Sequence, residues 1–73
     1  MVSMSQKTVY ELLKELGGKA TVKQISELAL KKYPEYTLHS YVGNRLHKLA
    51  NWGYVKQNRD GTWEIVSKES PPV

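Results

Sequence analysis

Ser40, Asn44, His47 and Asn51 recur at intervals of four, three and four residues, which at about 100° per residue puts them on one face of an α-helix. Each of these side chains both donates and accepts hydrogen bonds. Cations surround them in sequence: Arg45 and Lys48 within the same run, Lys56 and Arg59 beyond it, with His39 just ahead. No acidic residue occurs between Tyr36 and Arg59. Residues 1–35, by contrast, mix six lysines with Glu11, Glu15, Glu27 and Glu35, as an ordinary solvated helix surface does. Amides, hydroxyls and unopposed cations gathered between Thr37 and Arg59 suit the surface of a polyanion.

The same inventory argues against other chemistries. Cysteine is absent, so neither disulfides nor thiolate metal sites are available. The two histidines are eight residues apart with no acid at ligand spacing, so no metal site is expected. Carboxylates do not cluster, and neither histidine has a recognisable serine or acid partner. No enzymatic activity, cofactor or small-molecule ligand is therefore expected. No apolar run approaches the ~20 residues of a membrane span. The segment MVSMSQK lacks the hydrophobic core of a signal peptide. An intracellular, cytoplasmic protein with no membrane partner is the expectation. The net charge of +4 and pI of about 9.4 are mild, so the distribution of charge carries the argument and its sum does not.

Seventy-three residues with 40% apolar content make one small domain, and without cysteine its stability must come from packing. Val9, Leu12, Leu13 and Leu16 predict a first helix from Ser5 to Leu16, stopped by Gly17-Gly18. Lys19-Ala20 then forms a very short extended piece. Thr21-Val22-Lys23-Gln24 is a capping-box pattern opening a second helix to about Lys32, with Val22, Ile25, Leu28 and Ala29 inward. Pro34 ends it by forcing Tyr33 out of the helical region. Thr37 is the next N-cap. A third helix follows over 38–52, with Leu38, Val42, Leu46 and Leu49 as its core stripe and Trp52 at its edge, stopped by Gly53. Tyr54–Asn58 and Thr62–Val66 read as strands around Arg59-Asp60-Gly61, a hairpin signal. The domain is expected over 5–66, with flexible termini at 1–4 and 67–73.

The run Val42-x-x-Arg45-Leu46-x-x-Leu49-x-x-x-Gly53-Tyr54-Val55 resembles the recognition-helix-to-wing segment of winged helix-turn-helix transcription regulators. Small archaeal, plasmid and viral regulators and the MarR-, ArsR- and Lrp-like groups share that cadence. Thr21 to Leu30 is similar to the first helix of their helix-turn-helix, so the resemblance covers roughly residues 6–66. It implies an α+β winged helix-turn-helix fold of three helices and a C-terminal β-hairpin wing, with a short strand between helices one and two. The implied function is transcription regulation by binding double-stranded DNA, with helix 38–52 in the major groove and wing 55–66 on the adjacent backbone or minor groove. The turn Tyr33-Pro34-Glu35-Tyr36 is longer than the family's common turn, and the C-terminal dimerisation helix of many relatives is missing. A monomer or weak homodimer, pairing on DNA, is expected.

Under that resemblance Ser40, Asn44, His47 and Asn51 face the bases, where an asparagine can bond adenine N6 and N7 together. Gly43 on the same side removes bulk and allows close approach. Lys48, Thr37 and His39 flank this face. Arg45 borders the core stripe, so its stem packs while its guanidinium reaches a phosphate or a neighbouring carboxylate. Tyr41 is expected to pack partly into the core. Lys56 and Arg59 place positive charge on the wing, and Trp63 packs beneath it beside Ile65. Lys23 and Gln24 either hold phosphate at the start of helix two or are ordinary surface residues. The competing expectation is a winged-helix protein-interaction module of transcription or replication machinery, using an aromatic patch of Tyr33, Tyr36, Tyr41 and Trp52.

Overall fold

A computed structural model describes residues 6–35 and 38–69 of the chain, and only the backbone of Leu38 and His39. The order is α1 (Gln6–Glu15), β1 (Lys19–Thr21), α2 (Val22–Lys32), α3 (Leu38–Asn51), β2 (Val55–Gln57) and β3 (Thr62–Ile65). Together they form an α+β fold of three helices and a three-stranded antiparallel sheet in the order β1-β3-β2.

Each helix arises from its apolar spacing and is closed by local hydrogen bonds. On α1, Val9, Leu12 and Leu13 are buried as the spacing requires, and Leu16 packs partly in the closing turn. The buried arc is wider than that stripe, because Tyr10 and Gln6 are also inside. The expected start at Ser5 lies outside the described residues. At the other end Gly18 N donates to Leu13 O at 3.0 Å and Gly17 N to Lys14 O at 3.1 Å, the paired bonds of a Schellman closure.

The capping box at α2 is present in both halves: Gln24 N donates to Thr21 Oγ1 at 3.2 Å, and Thr21 N donates to Gln24 Oε1 at 2.9 Å. Ile25 and Ala29 are buried, with Val22 and Leu28 packed against them. Tyr33 N still donates to Ala29 O at 2.8 Å before Pro34 intervenes. The expected N-cap Thr37 and the neighbouring Tyr36 lie outside the described residues.

On α3, Val42, Leu46 and Leu49 are each no more than 1% exposed. The side chain of Leu38, the fourth member of the expected stripe, is outside the described set. Trp52 N still donates to Lys48 O at 3.0 Å, so the helical path reaches residue 52 in its closing turn. Gly53 there has φ +85, a left-handed conformation that glycine adopts without steric cost. Its closure, with Tyr54 N on Leu49 O at 3.0 Å, takes Tyr54 out of the strand expected for it.

The sheet lies over the same core. Trp63, in the middle strand, is opposite Ala20 on β1 and Gln57 on β2; Ala20, Val55 and Trp63 are buried, and Ile65 packs beside them. The hairpin is shorter than expected because Asn58 belongs to the turn. Asn58 N donates to Thr62 O at 2.8 Å and Gly61 N to Asn58 O at 3.1 Å, leaving Arg59-Asp60-Gly61 as a three-residue loop with Gly61 at φ +90. The Asp60 carboxylate accepts from the Thr62 hydroxyl at 2.6 Å and from Thr62 N at 3.0 Å. These bonds, led by the hydroxyl, hold its pKa below the usual carboxylate range. Ser67, counted with the tail by sequence, is tied down: its carbonyl accepts from the Tyr10 hydroxyl at 3.1 Å. Residues 1–4 and 70–73 of the expected flexible termini lie outside the described residues.

Two aromatic assignments, those of Tyr41 and Tyr33, need correction. Tyr41 is 53% exposed and does not pack into the core; it points off the flank of α3, about 100° from the buried stripe. Trp52 is 47% exposed, touching Tyr54 edge-on at 6.3 Å between centroids. Tyr33 packs partly against the core, because the helix reaches one residue into the turn, so it does not join them as an exposed patch.

Small domains hold about 0.05–0.15 kcal/mol of stability per residue, so one core leucine is a large fraction of the total. Leu46→Ala is expected to cost about 2–5 kcal/mol, and Thr21→Ala about 1 kcal/mol through the lost cap, both read from denaturant midpoints at unchanged slope. Because the Asp60 pKa is depressed by folding, its contribution is present above the ordinary carboxylate range and is lost as pH falls through the folded value. Acid unfolding of Asp60→Asn should lack that component, and identical acid profiles for the two proteins would contradict it.

Candidate functional site

The rotation of α3 decides which of its side chains reach solvent. With Val42, Leu46 and Leu49 fixed inward, Ser40, Asn44, His47 and Asn51 fall on the far side, and all four are exposed. Lys48 is exposed beside them. The structure therefore brings these five expected residues together on one surface. The side chain of His39 and all of Thr37, also expected there, lie outside the described residues.

His47 differs from its neighbours. Its ring meets Trp63 edge-on, with centroids 5.1 Å apart and planes at 86°. Exposed His47 thus joins the polar face of α3 to the middle strand of the sheet. The Trp63 Nε1 proton is buried without a hydrogen-bond partner, so this indole is held by packing alone. An edge-to-face pair of this kind contributes about 0.5–1.5 kcal/mol beyond area burial, enough to bias the ring of His47 toward one orientation. Its spacing on the polar face gave no sign of that contact, which depends on the sheet.

Gly43 sits half-buried on the same helix, and a Cβ built there meets nothing within 4 Å. Packing does not require glycine at this position. A mid-helix glycine costs about 1 kcal/mol relative to alanine, so its presence suits a close approach from outside.

Arg45 is half-buried, and its Nε has no partner. Its stem packs as expected. Among the described residues its guanidinium forms no ion pair with a carboxylate, the alternative left open by sequence.

The hairpin is less positive than its sequence suggests. Cross-strand register sets Lys56 opposite Glu64, with Nζ 4.0 Å from Oε1. Asn58 Nδ2 also donates to that carboxylate oxygen at 3.3 Å. Asp60 adjoins Arg59 at the tip. The acid-free character therefore holds for α3 but not for the hairpin, since strand pairing brings Glu64 back from a part of the chain beyond the acid-free run. Arg59 and Lys56 remain exposed.

Lys23 and Gln24 open α2 and are both exposed. The Gln24 side chain is engaged in the capping box, which leaves Lys23 as the charged group at that helix start. Elsewhere Lys32 pairs with Glu15 across α1 and α2, a structural clasp away from α3.

Among the described residues no group of three or more His, Asp or Glu side chains is placed to hold a metal, and no helix is long and apolar enough to cross a membrane. No protein-family model, curated protein or solved structure matches the chain.

Proposed function

We propose that this chain is a winged helix-turn-helix protein that binds double-stranded DNA and regulates transcription by occupying its site. The observation that carries this proposal is the exposed face of α3. Ser40, Asn44, His47 and Asn51 stand together there with Lys48 and without an acid, opposite a stripe buried to within 1%. α2 and α3 act as the helix-turn-helix, and β2 and β3 as the wing.

The division of labour follows from the chemistry of each side chain. Asn44 and Asn51 read base edges in the major groove. Lys48, Lys23, Lys56 and Arg59 contact phosphates, which fix register and carry no sequence information. Gly43 admits the backbone of the nucleic acid close to α3. With charge limited at the wing by Glu64 and Asp60, the polar face of α3 contributes most of the discrimination. The protein acts as a cytoplasmic monomer, or as copies that pair on DNA, without a catalytic step or cofactor.

Selection of bound duplexes from a random pool tests the proposal, with enrichment expected and a palindromic product marking paired copies. With these four cations on phosphates, log affinity should fall against log salt with a slope of about −4. Asn44→Ala or Asn51→Ala should cost about 1–3 kcal/mol and relax the preference at one base pair, whereas Arg59→Ala should weaken all sequences alike and reduce the slope by about 1. Gly43→Ala separates fold from function: it should stabilise the protein by up to about 1 kcal/mol while weakening the complex. Failure to bind any duplex at low salt would defeat the proposal.

A further inference from the structure

A second stripe runs along α3 beside the polar face. Tyr41, Arg45, Lys48 and Trp52 follow one another at intervals of four, three and four residues, so they share one azimuth about 100° around from Ser40, Asn44, His47 and Asn51. Both aromatic rings are about half exposed, Tyr41 at 53% and Trp52 at 47%. They are the outer members, separated by about 16 Å of helix rise, with the two cations between them. Among the described residues neither cation forms an ion pair, and the buried Arg45 Nε has no hydrogen-bond partner. Trp52 is steadied by its edge contact with Tyr54 at 6.3 Å, and Tyr54 in turn meets Tyr10 at 6.4 Å.

Neither ring is explained by the fold, since the core closes without them. Nor does groove reading by the neighbouring polar face of α3 use them. Exposed aromatic rings on either side of two unopposed cations meet the requirements of a surface for unpaired nucleotides: bases stack on the rings and phosphates meet the cations. A nucleic-acid strand meets both requirements at once, because it supplies phosphate and base at regular intervals.

We infer that the Tyr41–Arg45–Lys48–Trp52 stripe binds single-stranded nucleic acid, with bases stacked on Tyr41 and Trp52 and phosphates held by Lys48 and Arg45. The inference goes beyond duplex recognition and does not need it, although Lys48 borders both surfaces. Both activities on one helix would favour duplexes that carry an unpaired strand.

Oligothymidylate is the direct probe, because it offers phosphates and bases without a duplex. Its addition at low salt should quench the fluorescence of exposed Trp52, while Trp63, 2% exposed, stays unaffected. Tyr41→Ala and Trp52→Ala should each weaken oligothymidylate binding about tenfold, Trp52→Phe should retain most of it, and Asn44→Ala should leave it unchanged while impairing duplex binding. Thermal unfolding of each variant separates lost binding from lost structure. Absence of oligothymidylate binding by the wild-type protein would overturn the inference, as would binding that survives both alanine substitutions. Self-association of the wild-type protein, abolished by Trp52→Ala and unaccompanied by oligonucleotide binding, would also overturn it and assign the stripe to a second copy of the chain. Duplex selection that fails while oligothymidylate still binds would refute the proposed function alone.

Discussion

Burial of Val42, Leu46 and Leu49 against α1 and α2 is the constraint on which the rest of the molecule depends. Those side chains are essentially inaccessible, and together they fix the rotation of α3 about its axis. A turn of 100° would exchange the polar face for the aromatic flank. The free-energy cost of exposing even one of these leucines is comparable to a substantial part of the stability of so small a domain. Position on the outer surface is therefore set by the core, and the exposed residues need contribute nothing to folding in order to be held in place.

The sheet supplies the second fixed direction. β3 lies between β1 and β2, so the hairpin cannot swing independently of the segment joining α1 to α2. Trp63 is the point where these constraints meet, since its register sets it opposite both Ala20 and Gln57 and its ring touches His47. Tyr10 adds a clasp from α1 to the chain after β3 through Ser67. The outer face of α3 and the hairpin are accordingly held against one another through His47 and Trp63.

Much of this architecture was legible because it follows from local rules. The capping box at Thr21 and Gln24, the glycine closures after α1 and α3, and the loop Arg59-Asp60-Gly61 each depend on residues within a few positions of one another. The helical phase of Val42, Leu46 and Leu49 likewise identified the exposed face of α3. Contacts between distant segments were not legible. Glu64 entered the neighbourhood of Lys56 only through strand register, and His47 met Trp63 only because the sheet packs beside α3. Tyr41 and Tyr33 were misassigned for a related reason: aromatic character suggests both burial and display, and only the tertiary arrangement decides. Nothing in the spacing of α1 marked Tyr10 as the residue that would reach the end of β3.

The central claim is that the outward face of α3 is the contact surface for duplex DNA. Titrating isotope-labelled protein with duplex of random sequence at low salt, and following backbone amide chemical shifts, tests it whichever site the protein prefers. The account predicts that the largest changes fall on Ser40, Asn44, His47, Lys48 and Asn51, with smaller changes at Arg59 and little at the Glu11 and Lys14 positions on the outer side of α1. Changes centred on α1, or none at any amide, would contradict it.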